Sequence, residues 1–323
     1  MIQLNPENPW TRISSVWSAS PTPFLDDLSI DSESVHRMVA HHRDLGVGGI
    51  MLGGTCGEGP WMPEEDLLTL VRSAREAAGS EYPLAVQVTD NSPKRMLQRI
   101  EKVADAGADL ALVAGPYFLM NATPERIFNC FAQTANQSSL PVIYYDRGEH
   151  DRYPLPTEYI EELLGIPNIV MIKDSSRSPE RREHILAVKQ FRSDLVYFTG
   201  DEFAVTEYIS AGADGVLLGG GIFNARFAGK IIQQLRAREG DAAAETDTTM
   251  MELMRRIYGG PKIECWLTGL KYFLKRLGVF ATTASYLEFP LDERFRVDID
   301  SIVDTPGQYD NDAMLLTSAC SPA

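Results

Sequence analysis

Three stretches of the chain share one pattern, a glycine followed three or four residues later by an apolar run: GVGGIML at residues 46–52, GADLALV at 107–113 and GADGVLL at 212–218. Glycine often ends a helix, because it adopts the left-handed backbone of a helix terminus without strain. The apolar run has the length of a strand that is covered on both faces. Each stretch therefore predicts a helix that passes directly into a buried parallel strand.

Similar apolar runs recur along the chain, with helix-like spacing of apolar residues between them. Eight strands are predicted: Ile13–Ala19, Gly49–Gly53, Leu84–Val88, Leu110–Val113, Val142–Tyr145, Ile169–Lys173, Leu195–Thr199 and Val216–Leu218. The repeat of roughly 30 residues is the size of one βα unit, and eight units close into a TIM (β/α)8 barrel. A doubly wound open sheet is the alternative, but it usually has a glycine-rich fingerprint after its first strand. This chain has Ser20-Pro21-Thr22 there.

Local signals mark where helices begin and where the barrel ends. Three helices are predicted to begin with an N-cap hydroxyl and a proline, at Ser92-Pro93, Thr123-Pro124 and Ser178-Pro179. Beyond residue 222 the chain predicts only helices, over Ala225–Arg238, Ala242–Tyr258 and Pro261–Leu277, and the acidic tail after Pro290 is weakly patterned. We therefore divide the chain into an N-terminal extension (1–11), a barrel (12–238) and a C-terminal helical region with its tail (239–323).

Charge and cysteine content limit the classes of function. The 323 residues include 30 Lys and Arg against 45 Asp and Glu, a net charge of −15. This excess repels phosphate backbones and anionic lipids, so we expect neither a nucleic-acid nor a membrane partner. Residues 1–15 lack the apolar segment of a signal peptide, and no apolar run of about 18 residues is present. The four cysteines lie far apart, which predicts neither a disulfide frame nor a zinc site and fits the cytoplasm.

In a barrel, the chemistry lies at the carboxyl ends of the strands. Lys173 ends the apolar run that begins at Ile169, and it is the sharpest candidate. Loss of water favours the neutral amine of a lysine, which can attack a carbonyl carbon. The alternative is a lysine that extends to solvent or pairs with Asp174.

Two glycine-rich segments also follow strands. Residues 53–59 read GGTCGEG, and their backbone N–H groups could converge on an anion, although a tight turn without a ligand is the alternative. Gly219–Gly221 follow strand eight, where barrels often bind phosphate, but no basic residue is adjacent before Arg226.

Taken together, these residues resemble the dihydrodipicolinate synthase / N-acetylneuraminate lyase family of Schiff-base aldolases. The resemblance covers roughly residues 12–290, and Lys173 follows Tyr145 by 28 residues, as in the family. It rests on motifs in matching order: Pro21-Thr22-Pro23-Phe24, Gly54-Thr55-Cys56-Gly57-Glu58, Pro141-Val142-Ile143-Tyr144-Tyr145, Ile172-Lys173-Asp174-Ser175-Ser176 and Ala211-Gly212-Ala213-Asp214-Gly215.

The resemblance implies a role for each matched position. Lys173 would form an imine with pyruvate or another 2-keto acid, and Tyr145 would relay protons. Thr55 and Cys56, next to Gly54, would hold the carboxylate of the keto acid, whereas Glu58 would brace the turn. We also expect Leu217 on strand eight to contact the substrate, and we expect no metal or organic cofactor.

Some positions depart from the synthases of the family. Phe118, after Tyr117, stands where the synthases carry a second relay tyrosine. Arg147 or Arg152 is the candidate to replace an arginine that binds the carboxylate of the aldehyde substrate in the synthases. His150, in the same segment, is predicted either as a general acid or as a solvated loop residue.

Asp201 and Glu202, after strand seven, are similar to the acidic pair with which sialic acid lyases hold sugar hydroxyls. Carboxylates accept hydrogen bonds from such hydroxyls. The alternative is that both acids only favour the start of a helix, where the dipole attracts negative charge.

Three functions are consistent with these residues. The first is a lysine-imine lyase acting on pyruvate or a 2-keto-3-deoxy acid, by retro-aldol cleavage or dehydration. The second is an authentic 4-hydroxy-tetrahydrodipicolinate synthase, which condenses pyruvate with aspartate semialdehyde. The third, of another class, is a non-catalytic barrel that binds a keto acid. The resemblance and the aromatic segment Tyr117–Met120 also predict a homodimer or homotetramer.

Overall fold

Eight parallel strands close into a barrel in chain order, β1 next to β2 through to β8 next to β1. The computed structural model describes residues 15–305. The predicted extension over 1–11, all but one of the residues 1–15 considered for a signal peptide, and Cys320 lie outside the described residues. The strands are β1 Val16–Ala19, β2 Ile50–Leu52, β3 Leu84–Gln87, β4 Leu110–Val113, β5 Val142–Asp146, β6 Ile169–Asp174, β7 Val196–Thr199 and β8 Gly215–Leu218. The predicted TIM barrel is confirmed.

Helices cover the outside of the barrel, as a parallel sheet buried on both faces requires. They are α1 Ser32–Asp44, α2 Glu64–Ala78, α3 Pro93–Asp105, α4 Pro124–Gln137, α5 Ile160–Leu164, α6 Pro179–Phe191, α7 Val205–Ala211, α8 Gly221–Arg236, α9 Gly240–Tyr258, α10 Trp266–Arg276 and α11 Glu293–Asp304. The hydroxyls of Ser92, Thr123 and Ser178 cap α3, α4 and α6, each accepting from a backbone N–H three residues on. In residues 15–305 no helix combines the length and apolar composition needed to cross a membrane.

The barrel interior is filled by side chains from alternate strand positions. Trp17, Met51, Ile143, Met171 and Leu217 belong to this inner cluster, and each is almost fully buried. Because side chains alternate between the two faces of a strand, the residues two places beyond Ile143 and Met171 also point inward. Those residues are Tyr145 and Lys173, at the carboxyl end of the barrel.

The acidic tail after Pro290, for which no element was predicted, contains the helix α11. Ile299 and Ile302 are buried against the neighbouring helices, and the Arg256 guanidinium donates to Asp298. Phe295, Ile299, Ile302 and Val303 follow the spacing of an amphipathic helix, so the sequence does carry a local signal for α11. Helix α10 also begins later than predicted, at Trp266, because residues 259–265 form turns with left-handed backbone at Gly259 and Gly260.

Candidate active site at the barrel mouth

Lys173 and Tyr145 lie side by side at the carboxyl end of neighbouring strands. They are directly paired in the register of β5 and β6, and their exposures are only 5% and 8%. The Nζ atom of Lys173 lies 4.3 Å from the centre of the Tyr145 ring, a distance at which an ammonium is attracted to an aromatic face. The two side chains implied as catalytic are thus brought together in one buried place.

The alternative pairing of Lys173 with Asp174 is not what the structure has. Asp174 points to the other face of β6, where its carboxylate accepts from the Tyr197 hydroxyl at 2.9 Å and the Ser176 N–H at 2.8 Å. Burial raises the pKa of Asp174. Lys173 therefore faces the barrel mouth without this neighbour as a counterion.

A glycine after β7 makes room for the lysine. A methyl group built on Gly200 would lie 2.5 Å from Cε of Lys173 and would also collide with Oγ of Ser175. Real carbon atoms do not approach so closely, so the Lys173 side chain follows its path only because position 200 has no Cβ.

The glycine-rich turn at residues 53–59 contains two backbone donors without a partner in the described part of the chain, although neither Thr55 nor Cys56 is among the residues that form the cavity described below. Neither the N–H of Thr55 nor that of Cys56 donates to another residue within 15–305. Converging N–H groups of this kind attract an anion such as a carboxylate. The Cys56 thiol is buried, and its Sγ atom lies 3.8 Å from the carbonyl oxygen of Gly219. Burial raises the pKa of this thiol, so it stays protonated.

Glu58 braces this turn through residues distant in sequence. It adopts left-handed backbone with φ of 59° and is fully buried. Oε1 accepts from Nζ of Lys271 on α10 at 2.5 Å, and Oε2 accepts from the Ser285 hydroxyl and the Tyr286 N–H. Lys271 also donates to the Ala284 carbonyl, and burial lowers its pKa while Glu58 opposes that shift. The glycine-rich turn is therefore fixed by the C-terminal helical region.

A cavity of about 300 Å³ opens at Tyr145, Ser175 and Gly200, next to the Lys173 side chain. Its walls combine cationic, acidic and aromatic side chains, a mixture that suits a polar organic acid. They are formed by Tyr145, Arg147, His150, Ser175, Arg177, Gly200, Asp201, Glu202, Phe203, Tyr258, Ile263 and Trp266.

The two acids of the predicted pair have different surroundings. Asp201 accepts from Nε of Arg177 at 2.7 Å and Nη2 at 3.1 Å, so both its oxygens already have a donor. Glu202 accepts from the Gly220 N–H at 2.7 Å, the buried Tyr258 hydroxyl is close by, and burial raises its pKa. The hydroxyl-binding role predicted for the pair thus falls more naturally to Glu202.

The segment after β5 contributes another cation. Arg147 lines the cavity and donates to Asp151 at 3.2 Å, and burial raises the pKa of Asp151 to about 6. His150 is exposed on the same wall. Arg152 instead lies over the Tyr153 ring, away from the residues that form the cavity.

The remaining predicted residues lie around the site. Leu217 is fully buried in the inner cluster beneath the mouth. The Tyr117 hydroxyl accepts from Nε2 of Gln87 at 3.0 Å, and Phe118 extends outward with 60% of its surface exposed. Gly54 lies in the turn, and a Cβ there would collide with the Met51 side chain.

Several site residues were not predicted from the sequence, among them Ser175, Lys271 and Arg177. Ser175 lines the cavity with a buried hydroxyl that has no partner, and strand alternation from Lys173 was a usable signal for it. Lys271 interrupts the apolar face of α10 formed by Leu267, Leu270 and Leu274, which is also a signal of a buried partner. Arg177 had no such local signal.

Comparisons with known proteins agree with this fold. A sequence model of the dihydrodipicolinate synthetase family matches residues 12–302. The 4-hydroxy-tetrahydrodipicolinate synthase 2 of Streptomyces coelicolor is 30% identical over 208 residues, 64% of this chain and 68% of the relative. The corresponding synthase of Corynebacterium aurimucosum is 27% identical over 278 residues, 84% of this chain and 90% of the relative. The chloride-inhibited dihydrodipicolinate synthase of Acinetobacter baumannii, complexed with pyruvate, is similar in fold with a TM-score of 0.79 at 23% identity, over 93% of this chain and 99% of that one.

Proposed function

The chain belongs to the dihydrodipicolinate synthetase family, and from that premise we propose that it is a lysine-imine lyase acting on a 2-keto-3-deoxy acid. The observation that carries the proposal is the position of Lys173, buried at the barrel mouth with Nζ 4.3 Å from the Tyr145 ring. A pyruvate complex of the Acinetobacter baumannii synthase supports a keto acid as the ligand.

In the proposed mechanism, the neutral amine of Lys173 adds to the C2 carbonyl of the substrate. Water leaves, and the product is an iminium that can accept an electron pair from the neighbouring carbon. Tyr145 lies beside the amine and would carry the protons that addition and loss of water require. The free N–H groups of Thr55 and Cys56 would hold the C1 carboxylate during these steps.

Two outcomes are open to the iminium. In retro-aldol cleavage, the C4 hydroxyl loses its proton, the C3–C4 electron pair moves toward the iminium and an aldehyde leaves. In dehydration, C3 loses a proton, an enamine forms and the C4 hydroxyl leaves as water. Both need a group near C4 that exchanges a proton, and Glu202 suits that role because burial raises its pKa.

Borohydride trapping tests the imine directly. Hydride reduces the imine of pyruvate to a stable secondary amine, which peptide mass spectrometry can place on one lysine. We expect the adduct on Lys173, and we expect Lys173→Ala to lose both the adduct and turnover while it keeps the melting temperature. An adduct on another lysine, or none, would contradict the proposal, and absence of any adduct would favour the non-catalytic alternative only if pyruvate still binds.

The synthase alternative is favoured by one observation, the presence of Arg147 and Arg177 in the cavity, since aspartate semialdehyde brings a carboxylate. Against it, Phe118 has no hydroxyl, and loss of one proton-transfer group typically costs about 10²–10⁴ in rate. Measurement of kcat/KM for condensation of pyruvate with aspartate semialdehyde, beside pyruvate release from 2-keto-3-deoxy sugar acids, separates the two activities.

Self-association in the cytoplasm is part of the same proposal. Tyr117, Phe118 and Met120 are 43%, 60% and 70% exposed, an aromatic and apolar surface that suits a second copy of this chain. Light scattering at micromolar concentration should give a dimer or tetramer, and Phe118→Glu should weaken it. A monomeric wild-type protein would contradict this part. The three described cysteines are free and buried, as a reducing compartment permits.

A further inference from the structure

The backbone at Arg177 has an uncommon conformation for an arginine. Its φ of 58° lies in the left-handed region, where glycine is favoured and other residues are strained. The Tyr208 hydroxyl accepts from its backbone N–H at 3.1 Å and fixes this turn just before α6. A strained backbone is maintained where the side chain it carries has a use, so the guanidinium of Arg177 is the part to consider.

Asp201 holds that guanidinium in one orientation. The carboxylate is 4% exposed and accepts from Nε and Nη2, whereas the Arg177 side chain is 58% exposed. In this ion pair the carboxylate is therefore buried, whereas the guanidinium is accessible. Nη1 donates to no residue within 15–305, and both side chains lie on the wall of the cavity next to Lys173.

A second arginine lies on the same wall. Arg147 uses only Nη1 toward Asp151, and its side chain is 36% exposed. The two guanidiniums thus offer several N–H groups to the contents of the cavity, in the planar arrangement that matches carboxylate and phosphate oxygens.

We infer that Arg177, oriented by Asp201 and assisted by Arg147, binds a second anionic group at the far end of the substrate. The substrate class is then a 2-keto acid with a carboxylate or phosphate at its distal end, rather than a neutral sugar acid ending in a hydroxymethyl group. This inference rests on the proposed function, since it assumes that the keto end reacts with Lys173. In it, Asp201 is a positioning residue and does not touch the substrate.

Matched pairs of 2-oxo acids test the inference without requiring turnover. 2-Oxoglutarate is compared with 2-oxopentanoate, and 2-oxoadipate with 2-oxohexanoate, so that each pair differs only in the distal carboxylate. Borohydride traps each imine on Lys173, and intact-mass spectrometry measures the apparent affinity from the concentration dependence. Pyruvate, which has no distal group, reports the imine chemistry alone.

We expect at least one dicarboxylate to bind about 10- to 100-fold more tightly than its partner, the gain typical of a hydrogen bond to a charged group. Arg177→Gln should remove that preference and leave pyruvate trapping within about twofold. Arg177→Lys should keep only part of it, because an ammonium lacks the planar fork. Asp201→Asn should lower it with the guanidinium still present. Arg126→Gln, exposed on α4, is the matched control and should change nothing.

The possible outcomes distinguish failure of this inference from failure of the proposed lyase function. If pyruvate is trapped but neither dicarboxylate is preferred, or if Arg177→Gln keeps the preference, the inference is wrong and the lyase proposal stands. If pyruvate is not trapped at Lys173, both fail. Turnover of a dicarboxylic sugar acid, a phosphorylated keto-deoxy acid or aspartate semialdehyde, reduced by Arg177→Gln, identifies the source of the anion. If the wild-type protein turns over a hydroxymethyl-terminated acid as efficiently as its counterparts with a distal anion, the inference is overturned.

Discussion

Replacement of Lys271 by methionine should destabilise the protein strongly, because it leaves a buried carboxylate without its counterion. Lys271 and Glu58 are both fully buried, with Nζ and Oε1 2.5 Å apart. Loss of one partner of such a pair typically costs about 3–5 kcal/mol. For a chain of this length the unfolding entropy is about 0.6 kcal/mol/K near the midpoint, so the melting temperature should fall by roughly 5–8 °C.

Thermal unfolding of four proteins measures this effect. Lys275→Met, on the exposed side of the same helix, is the control and should shift the midpoint by less than about 1 °C. The double variant Glu58→Gln with Lys271→Met removes both charges and should recover part of the loss. Lys271→Met should also weaken pyruvate trapping, because Glu58 braces the turn that offers the N–H groups of Thr55 and Cys56.

A loss below about 1 kcal/mol for Lys271→Met would refute the reasoning, since it would mean that Glu58 accepts a proton or water at little cost. Equal stability of the single and double variants would also refute it, because the penalty would then come from packing rather than from an unpaired charge. Unchanged pyruvate trapping would show that the turn keeps its shape without this brace.

The other predictions concern acid stability, the space beside the lysine and the relay. Burial lowers the pKa of His42 to about 3, whereas in the unfolded chain it is near 6.5, so protonation of His42 below pH 6.5 favours unfolding. The free energy of unfolding should therefore fall by about 2 kcal/mol from pH 7 to pH 5. Thermal melts should show a weaker dependence on pH in His42→Gln, and an equal dependence would contradict the prediction. Gly200→Ala should displace Lys173 and slow pyruvate trapping by roughly 10²-fold. Gly229→Ala is the control and should not slow it, because a Cβ there makes only ordinary contacts. Equal trapping rates in the two variants would show that Lys173 does not need the space left at position 200. Phe118→Tyr should raise kcat for aspartate semialdehyde condensation, and no gain would show that a hydroxyl there is not what the chain lacks.

The barrel was predictable because short segments of sequence specify its strands and helices. Glycine before an apolar run and Ser-Pro or Thr-Pro before a helix each act through a few adjacent residues, and the structure has β4, β8, α3 and α6 where those signals lie. The position of Lys173 was predictable for the same reason, since a strand end in a parallel barrel is also a position at the mouth.

What escaped prediction depends on contacts between distant segments. Arg177 and Asp201 meet only because the turns after β6 and β7 lie side by side, and nothing around Arg177 indicates a partner 24 residues away. Asp201 carries a charge that suits hydroxyls as well as an arginine, so its residue type leaves both roles open.

The brace between Glu58 and Lys271 has a consequence for how the chain is made. The two residues are 213 positions apart, so Glu58 leaves the ribosome long before its partner is synthesised. At about 5–20 residues per second, the interval is roughly 10–40 s. During that time the strands can begin to pair, but the glycine-rich turn at residues 53–59 has no cation to hold it. The Glu58 carboxylate would therefore lack its partners until the last helices are synthesised, which makes this turn one of the final parts of the molecule to mature during translation.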